Sequence, residues 1–146
     1  MTKRIPVILF IFLIFYFFFK DEVFNEKTIL VGSSLPKTGI IKSWGENVNI
    51  GANSYFNYVN DNKLLEDKKI KFITYDDKYE PELTLDNLNK LIFKDKVYAL
   101  FGFVGTPKVK SILPLLEDFD IPFFAPFTGA SFLRNNENQN FINFRS

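Results

Sequence analysis

Short apolar segments recur along the chain after residue 27, and stretches with helical periodicity separate them. The segments are residues 28–32, 69–75, 97–101 and 121–125, with a fifth at 141–144. Short runs of this kind that stop at Gly, Ser or Asp are typical of strands in a parallel sheet that is buried on both faces. The pattern therefore predicts five strands, each of which ends in a loop.

Apolar residues between these segments are spaced by three and four positions, which is the spacing of one helix face. The predicted inner faces are Val48, Ala52, Tyr55 or Phe56, and Val59 in a first helix (residues 46–59), Leu85, Leu88, Leu91 and Ile92 in a second, and Val109, Ile112, Leu113 and Leu116 in a third. Pro81 and Pro107 suit first helical turns, whereas Pro114 should bend the third helix or restart it. The alternation of strand and helix predicts an α/β fold with a doubly wound parallel sheet.

The first twenty residues differ from the rest of the chain. Lys3 and Arg4 precede an uncharged, Phe-rich stretch at residues 5–19, and Lys20 ends it. This is the layout of a secretory signal, and a straight helix of that length spans about 22 Å, less than the hydrocarbon core of a bilayer. No Ala-x-Ala-like cleavage site follows, so residues 1–20 are predicted to be a signal peptide or an uncleaved signal anchor. A buried core helix is disfavoured because the stretch has no polar face.

Composition narrows the chemistry that the chain can perform. The 146 residues include 18 basic and 17 acidic side chains, and the net charge of +1 gives no electrostatic reason to bind nucleic acid. The chain has no His and no Cys, which excludes thiol catalysis, Cys/His metal sites and any triad with an imidazole base. Any site must therefore be made of hydroxyls, carboxylates, amides and backbone groups. Because acid–base and metal chemistry are also disfavoured for the carboxylate pair described below, we expect no enzyme, metal site or cofactor.

Three loops follow the predicted strands, at residues 33–44, 102–106 and 126–131. Ligands of open parallel sheets bind at this edge, beyond the carboxyl ends of the strands. Gly105 and Thr106 stand where the third helix begins, and the unpaired N–H groups of a helix N-terminus favour an anion such as a carboxylate. The alternative is that the Thr106 hydroxyl caps its own helix and binds nothing.

The remaining loops offer further candidates. Small residues in the 126–131 loop would let a ligand approach the backbone closely, unless the loop is an ordinary strand-to-helix turn. Trp44 either stacks on an apolar ligand or packs at the sheet edge. Asp76 and Asp77 form a carboxylate pair at a strand end, and turn-forming, solvated aspartates are favoured there over acid–base or metal chemistry.

Five stretches of the chain occur in an order that indicates a family. They are residues 31–39, Trp44-Gly45 with Gly51 and Asn60, Tyr-Asp-Asp-Lys-Tyr-Glu-Pro at 75–81, residues 100–107, and Pro-Phe-Thr-Gly-Ala at 126–130. Together they resemble the type I periplasmic binding proteins of the leucine/isoleucine/valine-binding family. The resemblance runs over residues 28–146 and implies a partial N-terminal lobe of a two-lobed Venus flytrap fold, preceded by a hydrophobic N-terminal helix.

The resemblance implies a protein that captures an amino acid or a related small carboxylate and delivers it to an ABC transporter permease. By position, Thr106 matches the hydroxyl residue that holds the ligand carboxylate, and Trp44 matches an aromatic residue beside the pocket. Phe127 and Gly129 lie in the loop whose backbone groups meet the carboxylate and the ammonium. The residues predicted to bind ligand are Trp44, Gly105, Thr106, Phe127, Thr128 and Gly129.

Two departures from the family pattern set further expectations. Gly129 stands where a threonine hydroxyl often completes the carboxylate site, so that contact would come from backbone, Thr128 or Ser131. The family has two lobes and residue 146 lies near the expected first crossing, so we expect a truncated chain that binds more weakly. The resemblance implies a periplasmic location, with membrane contact through residues 5–19 if the leader remains as an inner-membrane anchor. A membrane-anchored sensor domain of the same fold and a non-functional fragment are the alternatives.

Overall fold

The computed structural model describes residues 27–133 and 141–142, so the predicted leader at residues 1–20 lies outside the described part of the chain. Five strands form one sheet: β1 (Lys27–Leu35), β2 (Lys68–Asp76), β3 (Ala99–Phe101), β4 (Phe123–Phe124) and β5 (Phe141–Ile142). Their order is β2-β1-β3-β4-β5, and every neighbouring pair is parallel. The predicted parallel α/β sheet is confirmed.

Helices connect successive strands. They are α1 (Lys42–Asp61) after β1, α2 (Pro81–Asn89) after β2, its π-helical continuation (Lys90–Lys94), α3 (Thr106–Glu117) after β3, and a 3-10 turn (Ser131–Leu133) after β4. Pro81 occupies the first position of α2, where a missing N–H costs nothing. Helix α3 runs through Pro114 to Glu117, so the proline does not restart it. In the described part of the chain, no helix combines the length and the apolar character needed to cross a membrane.

The two faces of the sheet are covered by different helices. One cluster of buried side chains joins α2 and α3 to β3: Leu88, Leu91, Leu100, Val109, Ile112 and Leu116. Phe101 follows Leu100 in the strand and therefore points to the opposite face, where its ring packs edge-to-face with those of Phe56 and Phe72. Phe56, and not the exposed Tyr55, is thus the inward residue of α1.

Strand β1 is longer than predicted, because its ladder with β2 runs without a break to Leu35 opposite Asp76. Gly32 does not end the strand. A Cβ at Gly32 would lie 2.7 Å from Leu91 Cδ2, so the missing side chain makes room for α2 and its continuation to pack. The loop predicted at residues 33–44 therefore starts only after Leu35.

Helix α1 begins earlier than predicted, and Trp44 lies in its first turn instead of in a loop. The prediction relied on apolar periodicity, which starts only at Val48. The turn that starts the helix is held by backbone hydrogen bonds, including one from the Trp44 N–H to the Ile41 carbonyl at 3.0 Å. Strand β4 is shorter than the apolar run at residues 121–125, and it starts after Pro122, which has no N–H to donate to a ladder.

Candidate functional site

The loops after β3 and β4 are joined by backbone pairing at the carboxyl edge of the sheet. Val104 and Phe127 form an isolated parallel bridge beyond the two strands. The Phe127 N–H donates to the Phe103 carbonyl at 2.8 Å, and the Gly105 N–H donates to the Phe127 carbonyl at 3.1 Å. The start of α3 and the loop at residues 126–131 are therefore held side by side.

Two threonine hydroxyls, which we call the hydroxyl pair, link these loops. The Oγ1 atoms of Thr106 and Thr128 lie 2.6 Å apart, and the Ala130 N–H donates to Thr128 Oγ1 at 3.2 Å. Thr128 is 5% exposed, whereas Thr106 is open to solvent. The structure thus brings Thr106 and Thr128 together from segments that are more than twenty residues apart.

Thr106 does not cap α3, so the predicted alternative of a capping hydroxyl is wrong, while a role of Thr106 in ligand binding stays a prediction. The helix begins at Thr106 itself, Gly105 occupies the N-cap position with a φ of 104°, and no side-chain cap is present. The Thr106 hydroxyl is bonded to Thr128 instead. The first turn of α3 therefore presents backbone N–H groups without a side-chain acceptor, and Pro107 contributes none.

Two aromatic rings stand beside the hydroxyl pair. Phe127 precedes Thr128 in the loop, and its ring meets that of Trp44 edge-to-face, with centroids 5.5 Å apart. Trp44 is 54% exposed and Phe127 is 37% exposed, so both rings offer apolar surface to the solvent. Gly129 is exposed, with open space where a Cβ would point. Polar and apolar groups therefore adjoin at this part of the edge.

Asp76, the last residue of β2, holds the turn that follows β1. Its carboxylate accepts hydrogen bonds from the Lys37 N–H at 2.9 Å, the Lys78 N–H at 3.0 Å and the Thr38 hydroxyl at 2.6 Å. Burial raises the pKa of Asp76. The hydrogen bonds donated by Thr38, Lys78 and Lys37 outweigh that effect and keep the pKa below its ordinary value of 3.8.

Asp77 is buried, which corrects the prediction of two solvated aspartates. Its carboxylate accepts hydrogen bonds from Lys108 Nζ at 2.6 Å, the Ser34 hydroxyl at 2.8 Å and the Tyr79 N–H at 2.9 Å. Asn87 Nδ2 donates in turn to Ser34 Oγ at 3.1 Å. Lys108 is itself fully buried, and this burial lowers the pKa of its ammonium, against the opposing effect of Asp77.

Lys108 and Tyr79 are two residues that the sequence analysis missed. Lys108 carried a signal, since it lies four residues before Ile112 on the apolar face of α3, where a lysine needs a buried partner. Tyr79 carried none. Its place follows from a left-handed backbone, with φ of 71°, and from the approach of its ring to Gly105, where a Cβ would collide with it. Lys108 Nζ lies 5.3 Å from the centroid of the same ring.

Cavities lie at both edges of the sheet. One of about 500 Å³ opens beyond the ends of β1 and β2, lined by residues 38–41 and 78–80. A larger one of about 690 Å³ lies at the amino edge, lined by residues 28–30, 96–98 and 120–122. We place the candidate site at the carboxyl edge because the hydroxyl pair, the start of α3 and the aromatic rings converge there. Within the described residues, no group of three or more acidic side chains is arranged to hold a metal ion.

Comparison with protein families gives one match, a periplasmic binding protein family whose profile covers residues 28–146. Among curated proteins no significant match is found. Among solved structures, a possible leucine/isoleucine/valine-binding protein from Rhodopirellula baltica SH 1 is 33% identical with a TM-score of 0.79, over 84% of this chain and 32% of that one.

Two further solved structures are similar over much of the chain. A substrate-binding periplasmic protein from Ralstonia solanacearum is 31% identical with a TM-score of 0.71, over 74% of this chain and 31% of that one. A solute binding protein of an ABC transporter from Rhodopseudomonas palustris BisB5, in complex with 3,4-dihydroxybenzoic acid, is 30% identical with a TM-score of 0.64, over 72% and 28%. The chain thus spans about a third of the length of these structures.

Proposed function

Because the chain belongs to the periplasmic binding protein family, we propose that it is the solute-binding component of an ABC importer. It captures an amino acid or a related small carboxylate in the periplasm and passes it to a transporter permease. In this proposal, residues 28–146 make up the N-terminal lobe of the binding protein and residues 1–20 direct export. The lobe acts by binding alone, without a cofactor.

The observation that best supports this function is the hydroxyl pair of Thr106 and Thr128. Two hydroxyls have two protons, and one of them lies in the bond between Thr106 and Thr128. In this proposal Thr128 is the donor: its Oγ1 is buried and already accepts the Ala130 N–H, so its own proton has no solvent to donate to and is directed at Thr106. This leaves the Thr106 proton on the solvent side, where a carboxylate oxygen can accept it at the uncapped start of α3. The partial positive charge of the helix N-terminus favours an anion at the same place.

The surroundings of the hydroxyl pair suit a solute with an apolar body. Trp44 and Phe127 provide exposed ring surface beside Thr128, and Gly129 leaves open space next to them. The Rhodopirellula protein is named as a possible leucine/isoleucine/valine-binding protein, and the Rhodopseudomonas protein is in complex with 3,4-dihydroxybenzoic acid. Both kinds of ligand join a carboxylate to a carbon framework, a branched aliphatic chain in one and an aromatic ring with two hydroxyls in the other, and the exposed rings of Trp44 and Phe127 could pack against either.

Removal of the Thr106 hydroxyl tests the proposal. We expect leucine, isoleucine, valine or 3,4-dihydroxybenzoate to raise the thermal midpoint of the full chain, because ligand binding stabilises the folded state. Thr106→Val keeps the shape of the side chain and removes its proton, which should weaken binding of that acid by about 1–3 kcal/mol. Calorimetric titration of the chain and the variant measures the difference.

Two controls separate this contact from general effects. Thr28→Val makes the same change at the opposite edge of the sheet, beside the cavity at the amino edge, and should leave the affinity unchanged. The amide of the bound acid lacks the carboxylate charge and should bind poorly to every variant. An equal affinity of the chain and Thr106→Val would remove Thr106 from the site. The absence of any response to these carboxylates would contradict the function itself.

A further inference from the structure

The turn after β2 has an unusual backbone. Lys78 and Tyr79 are consecutive residues with positive φ angles of 50° and 71°, a left-handed conformation that side chains disfavour. Each is held by the carboxylate two residues before it: Asp76 accepts the Lys78 N–H at 3.0 Å, and Asp77 accepts the Tyr79 N–H at 2.9 Å. Backbone strain of this kind persists only where surrounding contacts impose it, and it is concentrated at functional sites.

This backbone directs the Tyr79 ring against the start of α3. The ring reaches Gly105, the N-cap residue, and occupies the space that a Cβ would take there. Gly105 in turn has a φ of 104°, which suits a glycine. Gly105 directly precedes Thr106, so the Tyr79 ring packs on the backbone that positions one member of the hydroxyl pair.

Lys108 of α3 contacts both Asp77 and the Tyr79 ring. It lies in the first turn of α3, and its ammonium binds the same Asp77 carboxylate that holds Tyr79, at 2.6 Å. The ammonium also faces the Tyr79 ring, 5.3 Å from its centroid. The Asp77–Lys108 pair therefore connects the strained turn and the first turn of α3 through two contacts, one ionic and one with the ring.

The Asp77 carboxylate is itself fixed by other elements of the fold. Ser34 at the end of β1 donates to it, and Asn87 of α2 donates both to Ser34 Oγ and to the Asp76 carbonyl, at 3.1 and 2.9 Å. A buried ion pair adds little stability compared with apolar side chains of similar volume. The Asp77–Lys108 pair is connected to β1, α2 and α3. We therefore explain it by the relative positions of the elements that it fixes, and not by a gain in stability.

We propose that Asp77 and Lys108 are positioning residues for the hydroxyl pair, and that they act through Tyr79 and Gly105. They hold the Tyr79 ring against Gly105 and so fix the direction of the first turn of α3. That turn carries Thr106, whose hydroxyl must stay within hydrogen-bond distance of Thr128 to present its proton outward. The inference rests on the proposed function, because the direction of this proton matters only if a carboxylate accepts it.

The first experiment needs no ligand. The Tyr79 ring should give the Gly105 α-protons a ring-current shift, which NMR of the isotope-labelled full chain measures. Tyr79→Phe should keep the shift and Tyr79→Leu should abolish it, and both variants should fold because Tyr79 is partly exposed. Asp77→Asn and Lys108→Met should each reduce the shift. An unchanged shift in folded Asp77→Asn and Lys108→Met would overturn the proposal.

The second experiment measures affinity for the carboxylate that raises the midpoint of the unmodified chain, among leucine, isoleucine, valine and 3,4-dihydroxybenzoate. We expect Tyr79→Leu to weaken binding about tenfold and Tyr79→Phe to retain it. If the charge variants fold, they should follow Tyr79→Leu. Full affinity in Tyr79→Leu, despite a lost ring-current shift, would overturn the positioning role. A lack of response in the unmodified chain would refute the proposed function instead, and the positioning role with it, while the NMR result would still decide whether the contact exists.

Discussion

The carboxyl edge of the sheet has two halves that are built differently. On the β1–β2 side, nine residue pairs are in register, and the edge ends in the charged contacts of Asp76 and Asp77. On the β3–β4 side, two residue pairs are in register, and the loops continue through backbone bonds and the hydroxyl pair. The β1–β2 half is thus held by a long strand ladder and by charged side chains. The β3–β4 half is held by a short ladder and by uncharged groups.

This difference separates the residues that hold the edge from those that can meet a solute. The Asp77 and Lys108 charges are buried and neutralise each other, so neither is offered to a ligand. Thr106 is exposed at the uncapped start of a helix, and Trp44 and Phe127 are exposed beside it. Substitutions in the β1–β2 half should therefore act on stability and should reach binding only indirectly, through the position of α3, whereas substitutions in the β3–β4 half should act on binding directly.

The largest effect is expected where the buried charge pair is broken. Asp77→Leu and Lys108→Met each leave one buried charge without its partner, which should lower the free energy of unfolding by about 3–5 kcal/mol. The double variant removes both charges and should recover a large part of this loss. Urea unfolding of the two single variants and the double variant measures the coupling. A double variant as unstable as the sum of the two would show that the pair does not act as a unit.

A smaller effect is expected at the glycine between the two halves. Gly105→Ala places a Cβ against the Tyr79 ring at a φ of 104°, and strain of this kind costs about 1–3 kcal/mol. Gly129→Ala is the matched control, since a Cβ there meets nothing within 4 Å and no left-handed φ is involved. The control should change stability by less than about 0.5 kcal/mol. Equal thermal midpoints for the two variants would contradict the close contact of Tyr79 with Gly105.

The smallest effect is a pH dependence that belongs to the β1–β2 half. The pKa of Asp76 is lowered in the folded state, so its contribution to stability is present above the ordinary value of 3.8 and is lost as the pH falls through the lower folded pKa. The stability difference between the chain and Asp76→Asn should thus be constant from about pH 7 to pH 5 and shrink below about pH 4. Urea unfolding across this range measures it. Asp86→Asn, on the exposed side of α2, serves as the control, and a difference independent of pH would refute the expectation.

Local patterns predicted most of the fold because they report on burial. The periodicity of Leu88, Leu91, Ile112 and Leu116 marked the faces that became the core. The limits of the elements were less predictable, since the end of β1 and the start of α1 depend on partners elsewhere in the chain. Gly32 reads as a stop signal in the sequence, yet it lies inside a strand because a neighbouring leucine needs the space.

The sequence predicted that several candidate residues lie at one edge of the sheet, but not which of them are in contact, and their role in binding stays a prediction. Gly105, Thr106 and Thr128 were identified from the residues that follow strands, and the structure places them together. The prediction failed for Asp77, because an aspartate in a turn is usually solvated and its partner Lys108 is 31 residues away. Side-chain pairs at that distance along the chain leave no periodic signal.

The amino-acid sequence by itself determined the order of strands and helices, the parallel sheet and the family, because these depend on patterns within short segments. Tertiary structure alone decided that Thr106 pairs with Thr128, that the buried Asp77 forms an ion pair with Lys108 and that Tyr79 packs on Gly105. These contacts join segments that only folding brings together, and each depends on geometry finer than hydrophobic patterning can specify.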